Sequence, residues 1–262
     1  MIHVDPDWWK NLFDELYLVT DARSVCDDSI TCREVDALQE FLGLEPDHEV
    51  LDLCGGHGRH SLELSRRGYT RVTVFDYSSK LLRVGKETAV RERLAVDFCQ
   101  GDARRTGFDA DRFDAVLILG NSFGYFIGEK DEEDDLALLK KSRCVLKPGG
   151  ILGMDITDGD FLEKNFKPES EHRIGEDILV QRFRERDDRI VRVREKVFSN
   201  KRGLIRDQTY ASRLYNSRTL ASILNAAGFK NIHLQTGFSC HQRDEKTDFG
   251  FMTNRILARA EK

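Results

Sequence analysis

The chain begins with a stretch in which apolar side chains recur at helical spacing. Apolar residues between Trp8 and Leu16 fall on one face of a helix, and residues 34–42 form a second amphipathic segment. Residues that repeat every three or four positions pack together on one side of an α-helix. The pattern therefore predicts that residues 1–45 form a helical N-terminal segment.

After Glu49 the pattern changes to short apolar runs separated by helical stretches. Near-continuous apolar strands of this kind are typical of a parallel sheet that helices cover on both faces. We therefore predict a doubly wound α/β fold, Rossmann-like, with a mostly parallel sheet of seven strands. The predicted strands lie near residues 50–53, 72–75, 96–99, 115–119, 151–156, 231–236 and 254–260.

Residues 171–215 follow a third pattern, in which polar and apolar residues alternate along three segments. Turn-prone residues separate the segments 178–183, 190–198 and 208–214. Alternation with a period of two predicts antiparallel strands with one face in water. The α/β core would then comprise residues 46–170 and 216–262, with the antiparallel sheet inserted between them.

The composition limits the partners that such a protein could have. Of the 262 residues, 40% are hydrophobic and 33% are charged, and the formal net charge is −5. This charge favours neither nucleic acid nor an anionic membrane surface. The chain contains no apolar run long enough to span a membrane, and its first residues lack the features of a signal peptide, so we expect a cytoplasmic protein. The six cysteines are scattered, which predicts neither a disulfide framework nor a metal site.

A glycine-rich turn after the first predicted strand is the strongest chemical signal. The strand carries Asp52, the turn contains Cys54, Gly55, Gly56 and Gly58, and a helix is predicted to open after the turn. Glycine allows a ligand to lie against the main chain, and the free N–H groups at a helix start favour polar or anionic groups. Such a turn alone would also suit a nicotinamide-binding fold or a plain tight turn.

Polar residues after the other strands make the signal more specific. Asp76 ends the second strand, and a carboxylate there can accept hydrogen bonds from a pair of ribose hydroxyls. Gly101 and Asp102 follow the third strand, and a polar and aromatic loop follows the fourth, from Gly120 to Phe126. In a parallel sheet all these segments meet at the carboxyl edge, where ligands bind.

At these residues the chain resembles the class I S-adenosylmethionine-dependent methyltransferases, and the resemblance covers about residues 50–156. It implies that S-adenosylmethionine is the cofactor, with Asp76 on the ribose, Tyr77 beside the adenine, Asp102 on the adenine amino group and Asn121 near the methionine moiety. The full set of cofactor-binding residues that it implies is Asp52, Cys54, Gly55, Gly56, Gly58, Arg59, His60, Asp76, Tyr77, Ser78, Gly101, Asp102, Ala103, Gly120, Asn121 and Ser122.

The chain departs from the family's pattern at the start of the glycine-rich turn. Cys54 stands where the family often has glycine, and His57 takes a position that is usually small and polar. The resemblance also extends, more loosely, to small-molecule methyltransferases in which an N-terminal helix caps the cofactor. In that group a substrate lid occupies the place of residues 171–215 here.

Methyl transfer from a sulfonium is a direct displacement, so the enzyme mainly positions the acceptor and excludes water. Aromatic faces favour a cationic sulfonium or amine, which makes Tyr125 in the loop after the fourth strand a candidate. Tyr17 could close over the cofactor, His241 could act as a base, and Arg213 and Tyr215 share one face of a predicted lid strand, with Tyr210 on the other. Each of these side chains could instead be an ordinary core or surface residue.

These patterns predict a methyltransferase that acts on a nitrogen or oxygen of a small metabolite. Two alternatives stay open: a methyltransferase of RNA or protein, and a binding protein that keeps the cofactor fold without catalysis, because fold alone does not define function. The sequence also leaves open whether the protein is a monomer or a homodimer.

Overall fold

The computed structural model describes residues 1–21, 25–127, 131–241 and 250–262 of the chain. Eleven strands lie within these residues, numbered in chain order. They are β1 (Val50–Leu53), β2 (Val72–Asp76), β3 (Val96–Gln100), β4 (Phe113–Ile118), β5 (Leu146–Thr157), β6 (Glu169–Ile174), β7 (Ile178–Asp187), β8 (Ile190–Ser199), β9 (Gly203–Arg213), β10 (Lys230–Phe238) and β11 (Arg255–Glu261).

Eight α-helices accompany these strands in the described ranges, and none of them is both long enough and apolar enough to cross a membrane. Two short 3₁₀ helices lie at Ala103–Arg105 and Gly250–Met252. The α-helices are α1 (Trp9–Leu12), α2 (Glu15–Thr20), α3 (Asp28–Leu42), α4 (Arg59–Arg66), α5 (Ser79–Glu92), α6 (Asp131–Val145), α7 (Gly159–Lys164) and α8 (Ser217–Ala226).

The larger sheet has seven strands in the order β10-β11-β5-β4-β1-β2-β3. The five strands from β5 to β3 run parallel, whereas β11 is antiparallel to both β5 and β10. Chain order reverses between β1 and β4, and the crevice beyond the carboxyl ends of such neighbouring strands is where open α/β sheets bind ligands. The predicted fold class is therefore confirmed, and the glycine-rich turn lies at this crevice.

Helices cover both faces of the larger sheet, and each face forms its own hydrophobic core. On one face α3 contributes Val35, Leu38 and Leu42, all almost completely buried. On the other face α6 and α8 contribute buried leucines such as Leu139 and Leu224. This two-sided burial explains why the strands read as continuous apolar runs in the sequence.

The smaller sheet is antiparallel and has four strands in the order β6-β7-β8-β9. Three of these strands match the predicted segments, and β6 is additional. It was missed because its sequence, ESEHRI, contains only one apolar residue, and its side chains alternate between exposed and half-buried. The sheet packs against the N-terminal segment, since Ala211 on β9 joins a cluster with Trp8 and Leu12.

The N-terminal segment is helical as predicted, but Asp14 divides its start into α1 and α2. The Asp14 side chain accepts a hydrogen bond from the Tyr17 N–H at 3.1 Å and so caps α2. Asp27 caps α3 in the same way, by accepting from the Ile30 N–H. Each cap fixes the residue at which its helix begins.

Candidate functional site

The glycine-rich turn forms a tight cradle between β1 and α4. Its backbone has a positive φ at Cys54, Gly56 and Gly58, the last of which is the N-cap of α4. A Cβ atom added at Gly55 would lie 2.7 Å from the side-chain carboxyl carbon of Asp52, so only glycine fits there. The turn therefore exposes its main chain to the crevice.

Two polar atoms buried around this turn have no hydrogen-bond partner within the described residues. One is Oδ1 of Asp52, whose other carboxylate oxygen accepts from the Ser61 hydroxyl at 2.7 Å. The other is Nη2 of Arg59, a side chain that lines the crevice and whose Nη1 is bonded to Thr31 and Glu34. A buried polar atom without a partner is costly unless a ligand or water completes it, so both atoms mark a binding site.

A buried ion network holds Arg59 in this position. Glu34 of α3 accepts from Arg59 and from Arg255 of β11, and Arg255 also donates to Asp155 of β5. His60 lies 3.0 Å from Glu34. Burial alone would raise the pKa of Glu34, but the two guanidinium groups hold that pKa well below its ordinary value. The network thus joins the N-terminal segment, the glycine-rich turn and the last strand around one carboxylate.

The same network fixes the loop after β4. The second carboxylate oxygen of Asp155 accepts from the Gly120 N–H at 2.7 Å and from the Asn121 N–H at 3.2 Å. The Asn121 side chain accepts from the Thr157 N–H at 2.8 Å. Asn121 itself has a positive φ, and these hydrogen bonds stabilise that conformation.

Asp76 lies at the end of β2 and connects three parts of the site. Its carboxylate accepts from the Gly56 N–H at 2.8 Å and from the Ser78 N–H at 2.7 Å. The Ser78 hydroxyl donates to the Phe13 carbonyl at 2.6 Å, which ties the N-terminal segment to this edge. Burial raises the pKa of Asp76 to about 6. A carboxylate has about four acceptor positions, so Asp76 still has room for two donors from a ligand.

These elements enclose a first cavity of about 1050 Å³. Fourteen residues predicted as site residues line it: Tyr17, Cys54, Gly55, Gly56, Arg59, His60, Asp76, Tyr77, Gly101, Asp102, Ala103, Gly120, Ser122 and Tyr125. Asp52, Gly58 and Ser78 lie behind the lining as supports, and Asn121 borders a second cavity instead. We call the first one the cofactor cavity.

The end of the cofactor cavity near Asp102 is closed by three side chains, those of Trp9, Arg104 and Phe126. Arg104 bonds Asp102 through Nη2 at 2.7 Å and lies over the Phe126 ring, 4.5 Å from its centroid. Trp9 packs edge-on against both Phe126 and Tyr77. Trp9 was read only as part of an amphipathic helix, and Arg104 has no sequence signal because its role depends on the 3₁₀ turn after β3. The Asp102 carboxylate is therefore already paired with the Arg104 guanidinium.

A second cavity of about 790 Å³ lies between the N-terminal segment, the loop after β4 and the smaller sheet. Its lining shares Phe13, Tyr17, Val25, Gly120 and Tyr125 with the cofactor cavity. Two ligands, one in each cavity, would therefore meet at Tyr17 and Tyr125. Burial raises the pKa of both tyrosines above the ordinary value, so their hydroxyls stay neutral.

Arg213, Tyr215 and His241 lie outside the lining of both cavities as far as the structure describes the chain. The Tyr215 hydroxyl donates to Asp135 at 2.7 Å, and Nε of Arg213 lies 3.5 Å from the same carboxylate. The cavity side of β9 is instead the one that carries Tyr210. Burial lowers the pKa of His241 to about 4, close to Arg255. None of these three side chains faces either cavity within the described residues, and a catalytic role for them stays a prediction.

A family model described as a methyltransferase domain matches residues 50–150, the part of the chain that builds the cofactor cavity. This match places residues 50–150 in the methyltransferase domain family. The predicted resemblance to the class I S-adenosylmethionine-dependent methyltransferases, and with it the predicted cofactor S-adenosylmethionine, are thereby confirmed.

Curated relatives match less than half of the chain. The ubiquinone/menaquinone biosynthesis C-methyltransferase UbiE from a Ruegeria species is 34% identical over 120 residues, 45% of this chain and 45% of that protein. The glycine/sarcosine N-methyltransferase from Aphanothece halophytica is 37% identical over 120 residues, 45% of this chain and 44% of that protein. The match thus spans less than half the length of these relatives.

Likeness in fold extends over nearly the whole chain. The structure of the CcbJ methyltransferase from Streptomyces caelestis superposes with a TM-score of 0.74, covering 98% of this chain and 99% of that chain at 17% identity. At this identity the likeness concerns the fold, including the smaller sheet and the N-terminal segment, and carries no substrate across.

Proposed function

We propose that the protein transfers a methyl group from S-adenosylmethionine to a nitrogen or oxygen of a small metabolite bound in the second cavity. The observation that carries this proposal is the pair of adjoining cavities, which share Tyr17 and Tyr125. One cavity has the cradle and carboxylate of a nucleoside site, and the other is enclosed by the N-terminal segment and the smaller sheet. A cavity lined from several sides in this way suits a small molecule better than a polymer.

The side chains around the cofactor cavity fit S-adenosylmethionine. Nη2 of Arg59, buried and without a partner in the described chain, suits the carboxylate of the methionine moiety. The open main chain of the glycine-rich turn would lie along the same moiety, and Asp76 would accept from the ribose hydroxyls. Asp102 would face the adenine end under Trp9. When bound there, the cofactor supplies a methyl group on a positively charged sulfur.

The protein's own residues bind the two reactants, orient them and exclude water. Trp9, Phe13 and Tyr17 cover the cofactor cavity, and Phe13 is tied to β2 through the Ser78 hydroxyl. Because the protein holds both reactants in line, the reaction needs no bimolecular encounter. This positioning can lower the activation barrier by about 7–11 kcal/mol. The neutral hydroxyls of Tyr17 and Tyr125, at the junction of the cavities, would donate hydrogen bonds that orient the acceptor.

Calorimetric titration with S-adenosylhomocysteine and with S-adenosylmethionine tests the cofactor half of the proposal. We expect micromolar binding by the wild-type protein, a loss of at least tenfold in Asp76→Ala, and no change in Asp47→Ala. Asp47 is an exposed aspartate before β1 and serves as the matched control.

Incubation with methyl-labelled S-adenosylmethionine and separated pools of metabolites, RNA and protein tests the acceptor half. Label in the metabolite pool is the expected result. Label in RNA or protein alone would contradict the small-molecule acceptor, and well-folded protein that binds neither cofactor form would contradict the proposal as a whole.

A further inference from the structure

Five aromatic side chains line the second cavity and are joined by ring contacts in one continuous cluster. Trp8 lies 5.1 Å from Tyr125 and 5.7 Å from Tyr210, measured between ring centroids. Phe13 lies 5.1 Å from Tyr17 and 5.7 Å from Tyr125. We call this set the aromatic box: Trp8, Phe13, Tyr17, Tyr125 and Tyr210.

The aromatic box includes the two tyrosines at the junction with the cofactor cavity. Whatever accepts the methyl group must therefore lie among these rings at the moment of transfer. Aromatic faces carry partial negative charge and attract a cation placed over them. These rings would stabilise an acceptor whose reacting atom is positively charged before or after transfer. They would offer a neutral acceptor only apolar contact.

A buried ion network lies next to the aromatic box. Arg182 of β7 donates to Glu195 of β8 at 2.8 Å and to Asp21 at 3.0 Å. Arg206 of β9 is paired with Asp14 and lies 3.8 Å from Glu195. The network thus contains three carboxylates and two guanidinium groups. Asp21, Arg182 and Glu195 line the cavity itself.

Two further features bear on the charge of this network. Arg184 also lines the cavity and adds a third guanidinium, which bonds the Ser170 hydroxyl at 2.9 Å and the Lys167 carbonyl. Burial raises the pKa of Glu195 even though Arg182 and Arg206 lower it. A cation in the aromatic box would favour the charged form of Glu195.

The titratable groups of the cavity are poorly suited to deprotonate an alcohol. Burial raises the pKa of Tyr210, as it does for Tyr17 and Tyr125, so these hydroxyls are not bases. The carboxylates of Asp21 and Glu195 are held by Arg182. An aliphatic amine needs no base in the site, because its ammonium form can give one proton to bulk solvent before the neutral amine enters.

From these observations we propose that the methyl acceptor is an aliphatic amine, which loses one proton to solvent, reacts as the neutral amine, and is held by the aromatic box as the methylated ammonium after transfer. The nitrogen lone pair forms the new N–C bond while the electrons of the C–S bond return to sulfur. Positive charge thereby passes from sulfur to nitrogen inside the aromatic box. This inference rests on the proposed function, since it names the class of acceptor for the same site.

The test compares choline with dimethylbutanol, its neutral analogue in which carbon replaces the nitrogen. Binding of each probe is measured calorimetrically at saturating S-adenosylhomocysteine. We expect choline to bind about tenfold more tightly than the neutral analogue. Tyr210→Leu should remove most of this preference, whereas Tyr210→Phe, which keeps the ring, should retain it. Asp21→Asn should weaken choline severalfold and leave the neutral analogue unchanged.

The outcomes separate this inference from the proposed function. Equal binding of the two probes, no choline binding at millimolar concentration, or an undiminished preference in Tyr210→Leu would overturn the amine acceptor while S-adenosylhomocysteine still binds. Failure of the folded wild-type protein to bind S-adenosylhomocysteine would instead overturn the proposed function, and the inference with it.

Discussion

The cofactor cavity and the second cavity adjoin each other but are built in different ways. The cofactor cavity consists mainly of main chain and strand ends within residues 50–126, together with a few N-terminal side chains. The second cavity consists mainly of side chains from distant parts of the chain, such as Trp8, Arg182 and Tyr210. The first depends on local rules of turn and strand geometry, and the second depends on how the N-terminal segment and the smaller sheet pack together.

The largest expected effect concerns the ion network that supports the cofactor cavity. Glu34→Gln removes the negative charge that Arg59 and Arg255 share, and should lower the free energy of unfolding by about 3–5 kcal/mol. Urea denaturation measures this loss. Glu40→Gln, an exposed site on the same helix, should change stability by less than about 0.5 kcal/mol.

The pH dependence of this difference provides a second check on Glu34. A carboxyl whose folded-state pKa is depressed contributes stability above its ordinary value, near 4.5, and loses it as the pH falls towards the depressed pKa. The gap between wild type and Glu34→Gln should therefore narrow below about pH 4.5. A gap that stays constant down to pH 3 would mean that the charge of Glu34 does not carry the effect.

Cofactor binding should follow the ionisation of Asp76. Burial raises its pKa to about 6, and ribose hydroxyls donate to the carboxylate form. Affinity for S-adenosylhomocysteine should therefore rise as the pH increases through this value and level off above about pH 7. Asp76→Asn should bind more weakly, by about 1.5–3 kcal/mol at pH 7.5, and lose this pH dependence. A mutant that keeps the wild-type pH profile would show that another group titrates.

The adjacent tryptophans Trp8 and Trp9 offer a matched pair for the two cavities. Trp9 lines only the cofactor cavity and Trp8 only the second. Trp9→Leu should weaken S-adenosylhomocysteine binding about tenfold, because it removes the ring that closes the adenine end. Trp8→Leu should change that affinity less than threefold. Equal losses in both variants would mean that the N-terminal segment acts as one unit and that the cavities are not separable.

The smallest effect concerns the departure from the family at Cys54. Its φ is 61°, a conformation that glycine adopts readily and β-branched residues avoid. Cys54→Gly should keep stability within about 1 kcal/mol of wild type, while Cys54→Val should lose about 1–3 kcal/mol. Thermal denaturation distinguishes the two. If valine is tolerated as well as glycine, the turn is not held in this conformation.

Much of the cofactor cavity could be predicted from the sequence, because each of its parts follows directly from a strand. Asp76 and Asp102 end or follow apolar runs, and parallel strands bring such residues to one edge. Trp9 and Arg104 were not predicted as site residues. The position of Trp9 depends on the direction in which α1 crosses that edge. The position of Arg104 depends on a 3₁₀ turn that no hydrophobic pattern predicts.

The second cavity could be predicted only in outline. Alternation along β9 defined two faces, one with Tyr210 and the other with Arg213 and Tyr215, but did not say which face borders the cavity. The buried carboxylate of Asp135 is bonded by Tyr215 and faces Arg213, which decides this orientation. Arg182 and Glu195 were not predicted as site residues, because their pairing across β7 and β8 depends on strand register.

A crystal structure with bound S-adenosylhomocysteine tests the central claim most directly. The account predicts that the ligand fills the cofactor cavity with its carboxylate on Arg59 and its ribose on Asp76. The thioether sulfur should then lie at the junction beside Tyr17 and Tyr125 and face the aromatic box. A ligand bound elsewhere, or one whose sulfur is separated from the second cavity by protein, would contradict the account.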